Sequence, residues 1–394
     1  MTAAGSEFGF ELRVCAWAER EWPPAGERDP AMAVFVARQL GIKERRWDTI
    51  VVEADRRALE RRAHFGPDAL DSDLLHVVRG APAEWAYYRE CLSEPDYPWR
   101  YVREAVHRAA DRGIVETRRS GGRIELRRKW AYPDWISRIV AIENKPDLSA
   151  SAARTLAGQI ERDVALGLAD EVWVATRATG ASVEPVLFED LPVEAGVLVV
   201  DADGDGTDGK PEGGARSGRG IDGVRVAWHP ATLAPETPGT RIAERPAGSE
   251  HDRSAARFEY VSPEWKADKR REIAERAYGR GWRAYAERMR TDCRHFELRR
   301  GGSGAGGREA DGRGAGDAGG EPGTASAVGG NALLPWCRAK GRLQTTTECG
   351  DSCPEFEPEP PAWRTRGWPI EGGPGRTAER LLARRRARRR PDAE

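Results

Sequence analysis

The run Arg138-Ile-Val-Ala-Ile-Glu-Asn-Lys145 constrains this chain more than any other. Ile139–Ile142 are apolar without alternation, the pattern of a strand covered on both faces, and Pro146 ends it. Ser149 or Ser151 then caps a helix with Ala153, Leu156, Ile160, Val164 and Leu168 on its inner side. Glu171-Val-Trp-Val-Ala-Thr176 is the next strand. Strand, helix and strand joined by short links form a right-handed parallel crossover. A crossover strand is normally interior, so Glu143 and Lys145 carry charge to a place where unpaired charge is costly.

The segments around this unit read as follows. Residues 8–18 suggest a strand or a strand–helix junction, and residues 30–41 a helix with Met32, Phe35, Val36 and Leu40 at helical spacing, stopped by Gly41. Asp48–Glu53 is a short strand headed by a carboxylate. Residues 72–92 read as helical, and Pro98–Gly113 as a second helix with Val102, Ala105, Val106 and Ala109 on one face and Gly113 as its C-cap. From Ile114 to Arg128, two alternating runs flank Ser120-Gly121-Gly122, a hairpin signal. Helices followed by a basic hairpin spell a winged helix, a module that serves DNA or protein contact. Residues 197–201 and 224–228 add edge strands, and Pro263–Met289 is a long charged helix. The expected organisation is an N-terminal part of the core (1–71), a winged-helix-like insertion (72–128), the rest of the core (129–245), a helical segment (255–299), a disordered Gly-rich linker (300–332), a cysteine-bearing knuckle (333–372) and a basic tail (373–394).

Composition removes several classes. With 63 basic and 64 acidic residues the chain is no simple polycation. No segment approaches the roughly 20 apolar residues of a membrane helix, and no basic-then-apolar leader opens it, so no membrane contact and a cytoplasmic protein are expected. Six cysteines are too few and too uneven for a secreted disulfide scaffold. There is no P-loop, dinucleotide glycine motif or Ser/His/Asp arrangement, and the six histidines show no ligand spacing. Asp201–Glu212 satisfies a calcium-loop pattern on paper, but a strand precedes it, glycines follow, and Asp208 stands where an apolar residue belongs; an acidic loop is the reading. Only seven of the 63 basic residues are lysine, which makes Lys145 in a motif position less of an accident.

The chemistry centres on Glu143-Asn144-Lys145. Alternation places Glu143 and Lys145 on one face of the strand and Asn144 on the other. A second carboxylate has two candidates. Asp134, after Pro133, enters from an adjacent strand or turn; Asp48 heads an apolar strand that can pair with Ile139–Ile142, with the winged helix inserted between the two. Two carboxylates with water and phosphate oxygens suit Mg²⁺. The ion lowers the pKa of a bound water, and the lysine ammonium steadies charge developing on a phosphodiester.

Pro133-Asp134…Glu143-Asn144-Lys145, with the crossover helix and strand that follow, resembles the PD-(D/E)XK nuclease superfamily over about residues 130–176. The whole chain also resembles a group of uncharacterised haloarchaeal proteins. The superfamily resemblance implies an α/β, restriction-endonuclease-like mixed sheet with a crossover helix, here with an inserted winged-helix module and a helical C-terminal extension. It implies Mg²⁺-dependent cleavage of DNA, in repair or defence. Asp134 or Asp48 and Glu143 would hold the ion, Lys145 would assist the water, and Gln159 would orient the site from the crossover helix. Glu19 and Glu21 are candidates for the acid often found on the first core helix. Asp134 has the motif's proline, but its spacer to Glu143 leaves little room for the hairpin that normally joins the two carboxylates.

Cys293, Cys337, Cys349 and Cys353 form a second constellation, with Cys349-Gly-Asp-Ser-Cys353-Pro at knuckle-like spacing. Four thiolates suit tetrahedral Zn²⁺ or an iron–sulfur cluster. Some nucleases similar to the superfamily hold a [4Fe–4S] cluster with one upstream cysteine and three downstream; that resemblance would put Cys15 in place of Cys293. Two other classes compete with the nuclease: a winged-helix DNA-binding regulator on a degenerate nuclease fold, and an assembly protein whose C-terminal metal knuckle docks a protein partner. The sequence does not fix an oligomeric state.

Overall fold

A six-stranded sheet lies at the centre of the computed structural model, which describes residues 3–95, 97–147, 150–177, 191–200, 224–244, 257–300 and 333–358. The chain enters as a helix, α1 (Ala3–Glu21), and not as the strand suggested for residues 8–18. Phe8, Phe10, Leu12, Val14, Cys15, Ala16, Trp17 and Ala18 are all buried. A helix covered all round has no apolar stripe, so its sequence lacks the period that identifies a surface helix. Residues 32–41 make the opposite correction, forming a strand, β1 (Met32–Gly41), antiparallel to β2 (Arg46–Asp55). The neighbours Phe35 and Val36 pack into apolar clusters on opposite faces of the sheet, a two-sided burial that mimics helical spacing.

Between β2 and the next strand of this sheet the chain leaves it. α2 (Arg56–Ala63) is capped by Asp55 and α3 (Ser72–Gly80) by Asp71, each side chain accepting from an N–H of the first turn. Residues 72–92 are not one helix: α3 gives way to β3 (Ala86–Tyr87) and a single turn, α4 (Tyr88–Cys91). Then follow α5 (Trp99–Asp111), β4 (Val115–Ser120) and β5 (Arg123–Arg128), and the three strands form a sheet in the order β3-β5-β4. Gly121 and Gly122, at φ +55° and +80°, supply the left-handed residues of the tight turn. Leu74, Leu75, Val78, Val102, Val106 and Leu126 lie in a core belonging to this module.

β6 (Ile136–Lys145) re-enters the central sheet beside β2, antiparallel, from Ala54↔Ile136 to Thr49↔Ile142. α6 (Ala150–Leu166) crosses over to β7 (Glu171–Arg177), which lies parallel to β6. Gly167, at φ +56°, ends α6 before Leu168. β8 (Gly196–Val200) is parallel to β7, and β9 (Val224–Trp228) closes the sheet antiparallel. The order is β1-β2-β6-β7-β8-β9, so of the two strands expected at an edge only β9 is there.

β10 (Gly239–Glu244) and β11 (Arg257–Val261) form an antiparallel ribbon. α7 (Pro263–Arg280) starts at the Ser262 cap and stops at Gly281, well short of Met289, and a 3-10 turn covers Trp282–Arg288. α7 is no peripheral extension, because Ile273, Ala274, Ala277 and Tyr278 join the core beneath the central sheet. β12 (Phe296–Arg300), β13 (Leu333–Cys337) and β14 (Arg342–Leu343) make a last small sheet, which packs with α1 on the other face. Ser149, the acidic loop 201–212, the linker from 301 to 332 and the tail 373–394 lie outside the described residues. Among the described residues no helix is long and apolar enough to cross a membrane.

Candidate active site

Continuing the β2–β6 pairing one step past Thr49↔Ile142 brings Asp48 opposite Glu143. The Asn144 N–H donates to Asp48 Oδ2 at 2.9 Å, fixing the carboxylate at the strand end. Glu143 is 5% exposed. Burial first, and the Asp48 carboxylate second, raise its pKa to about 7, with the Arg45 guanidinium opposing them. Arg45, from the β1–β2 turn, reaches Glu143 Oε2 at 3.1 Å and grips Asp163 of α6 with two hydrogen bonds of 2.7 Å.

A further carboxylate, paired with a guanidinium, lies on the α1 side. Glu11 of α1 accepts from Arg38 Nε at 3.0 Å and from Nη2 at 2.5 Å. Burial raises the Glu11 pKa although Arg38 pulls the other way. Gln39 joins the two halves: its amide donates to Glu11 Oε1 at 3.1 Å and to Asp48 Oδ1 at 3.0 Å. Gln39 has φ +53°, a left-handed backbone that costs a non-glycine residue energy and is kept where surrounding contacts require it. Of the four carboxylates gathered here, Glu11 pairs with Arg38, Glu143 and Asp163 share Arg45, and Asp48 is held by the Gln39 amide and the Asn144 N–H. Asp48 and Asn144 open with Glu7, Phe8, Glu11 and Gln39 onto a cavity of ≈ 280 Å³. Asn144 is 1% exposed; its Nδ2 donates to Thr49 Oγ1 at 3.0 Å, and its Oδ1 is buried with no hydrogen-bond partner.

The other residues singled out from sequence fall as follows. Lys145 is half-buried at the end of β6, one alternation beyond Glu143. Gln159 lines a neighbouring cavity with Arg45 and Asp163, and its buried Oε1 lacks a partner. Asp134 does not join them. It is exposed, just before β6, where the Asp55 N–H donates to Trp135 O, and it lies nine positions before Glu143 along extended chain, about 30 Å away. Glu19 is held by Arg283 through hydrogen bonds of 2.7 and 2.6 Å, so on α1 the acid facing Asp48's cluster is Glu11, two turns before it. Sequence reasoning missed Glu11, Gln39, Arg45 and Asp163. Asp163 left a signal, since it stands three residues after Ile160 and seven after Leu156 on the inner stripe of α6, where a carboxylate demands a cation.

Cys293, Cys337, Cys349 and Cys353 line one small cavity together with Arg290 and Phe356. Burial pushes the Cys349 thiol up to about 11; an N–H of Arg290 lowers it, and Cys353, Cys293 and Cys337 raise it further. Cys15 is not in this group. It is fully buried in α1 with its sulfur 3.4 Å from Thr49 Oγ1, so Cys293 and not Cys15 accompanies the three downstream cysteines. Among the described residues no three His, Cys, Asp or Glu side chains are disposed to hold a metal ion as they stand.

The chain belongs to a family of unknown function, DUF5787, whose model matches residues 35–311, more than half of its length. No curated protein and no solved structure matches it.

Proposed function

We propose that this DUF5787 protein is a Mg²⁺-dependent nuclease of restriction-endonuclease-like fold acting on DNA phosphodiesters. One observation carries the reading: Asp48 stands opposite Glu143 at the end of paired interior strands, with Lys145 following on the Glu143 face. The donor set fits a hard ion. Burial and the neighbouring Asp48 carboxylate raise the cost of ionising Glu143, and a cation held between the two relieves it. Asp48 and Glu143 would hold Mg²⁺, which when bound supplies an acidified water and screens phosphate charge.

This chain's own residues do the rest. Gln39 and the Asn144 N–H fix the direction of Asp48, and Arg45 ties Glu143 to α6 through Asp163. The Lys145 ammonium would steady the negative charge that grows on the phosphate as the water oxygen bonds to phosphorus, giving its proton to solvent, and the ester oxygen leaves and takes up a proton from solvent. The inserted module has the helix–strand–helix–helix–strand–strand order of a winged helix. Arg100 and Arg103 on α5 and Arg118, Arg119, Arg123 and Arg128 on the hairpin are exposed, suited to phosphate contacts that weaken with salt.

The test is Mg²⁺-dependent nicking of plasmid DNA by the full chain. Glu143→Ala and Lys145→Ala are expected to abolish nicking while DNA affinity is kept; nicking that survives both removes the reading. A second reading, a DNA-binding protein on a degenerate nuclease fold, is favoured by the Arg45 guanidinium lying on Glu143. It takes over if the parent cuts nothing while Arg103→Ala or Arg119→Ala abolishes DNA binding.

A further inference from the structure

The C-terminal sheet carries chemistry that the nuclease reading does not use. Its four cysteines come from three segments: Cys293 from the turn before β12, Cys337 from the end of β13, and Cys349 and Cys353 from the turns after β14. A buried free cysteine is ordinarily a small apolar filler. Cys15 behaves that way, set in the α1 core with one hydroxyl beside it. The C-terminal four differ because they surround a common cavity and polar donors point at two of their sulfurs. The Glu357 N–H donates to Cys293 Sγ at 3.5 Å, and the Lys340 ammonium to Cys353 Sγ at 3.6 Å. Donors of this kind at sulfur are the outer contacts that orient a ligating cysteine.

We infer that Cys293, Cys337, Cys349 and Cys353 together ligate one thiophilic metal centre, either Zn²⁺ or an iron–sulfur cluster. The thiols do not already form a finished ion site. A zinc–sulfur bond of about 2.3 Å would draw the four sulfurs inward, whereas a preassembled polynuclear cluster fills more of the space between them. In both cases each thiol gives its proton to solvent as its sulfur bonds the metal. The site has a structural consequence. Cys293, Cys349, Phe296, Leu334 and Leu343 pack in the same apolar cluster as Phe8 and Phe10 of α1. A Cβ at Gly9 would lie 3.0 Å from Leu343, so α1 and the small sheet are in close contact. The metal would therefore lock the small sheet against the helix that carries Glu11.

The experiment is elemental analysis and an absorption spectrum of the full chain, purified anaerobically without chelator, followed by alkylation of its thiols. The expected result is stoichiometric zinc with a featureless visible spectrum, or iron with sulfide and a broad visible band that bleaches on reduction. The four cysteines should resist alkylation until the metal is stripped, with thermal stability falling when it is. Cys337→Ser and Cys353→Ser should lose the metal and Cys91→Ser should keep it. Should the serine variants fail to fold, the protection pattern in the wild-type chain decides alone. Metal-free protein with all four thiols alkylated at once, or metal retained while they are alkylated, overturns the inference. The readout is bound metal and not cleavage, so it stands or falls separately from the nuclease reading.

Discussion

Two buried charge clusters in this molecule use the same residue types to opposite effect. Arg62 of α2 and Glu275 of α7 are both fully buried and meet through hydrogen bonds of 2.6 and 2.5 Å. The remaining Arg62 donors reach Gly66 O and Asp68 O, and Glu275 also accepts from the Leu70 N–H and the Tyr132 hydroxyl. Arg62 stacks over Tyr278 as well. Every strong donor meets an acceptor, and the result pins the inserted module's root to the core. Around Asp48 and Glu143 the balance is broken: carboxylates outnumber guanidiniums, Glu143 holds its proton to near neutral pH, and the Asn144 Oδ1 is orphaned beside an open cavity. A satisfied buried network stabilises, and a partly satisfied one that persists points to a group supplied from outside.

The largest expected effect breaks the satisfied cluster. Glu275→Ala leaves the Arg62 charge buried and unpaired and should cost about 3–5 kcal/mol in denaturant unfolding. Compared below about pH 5, where Glu143 is protonated, Glu143→Gln should change stability by less than about 1 kcal/mol, because Arg45 keeps Asp163. Equal losses at the two sites would erase the distinction. Next comes function: Asp48→Asn should slow Mg²⁺-dependent cleavage roughly a hundredfold or more with the fold intact by circular dichroism.

A smaller effect concerns pH. In chelator, the folded chain holds a proton on Glu143 up to about 7, while an unfolded glutamate releases it near its ordinary 4.5. The folded state therefore binds the extra proton between these values. Glu143's contribution to stability is full below the lower value and lost as pH rises through the upper, on the order of a few kcal/mol in all. Unfolding midpoints measured from pH 4 to 8 should fall for the wild type and fall less for Glu143→Gln. Parallel curves would mean that Asp48 and burial do not act on Glu143 as described.

What could be read in advance follows from where burial is one-sided or complete. β6, α6 and β7 were legible because an unbroken apolar run, a helical stretch with an inner stripe and a second run leave few alternatives. α1 and β1 were not, because both are covered on two sides: burial all round erased the helical period of one, and burial of neighbours on opposite faces gave the other a false one. Glu143 and Lys145 could be singled out because charge at the end of an interior strand is conspicuous. The choice between Asp48 and Asp134 could not be made locally, since the strand that pairs with β6 precedes it by a whole inserted module. Gln39 was beyond reach, because its bridging position depends on a left-handed backbone that nothing in its neighbours announces.

The smallest expected effect decides which end of β6 does the work. Asp134 has the motif's proline but is exposed, and the strand holds it about 30 Å from Glu143. Asp134→Asn should leave Mg²⁺-dependent cleavage unchanged and stability within about 0.5 kcal/mol, whereas Asp48→Asn in the same assay slows it roughly a hundredfold or more. The double variant should match Asp48→Asn alone, since residues that far apart with no shared partner act independently. If Asp134→Asn abolished cleavage and Asp48→Asn did not, the chemistry would sit at the opposite end of the strand. The alignment of Gln39, Asp48 and Glu143 would then be a structural clasp, differing from the Arg62–Glu275 pair only in how poorly it is satisfied.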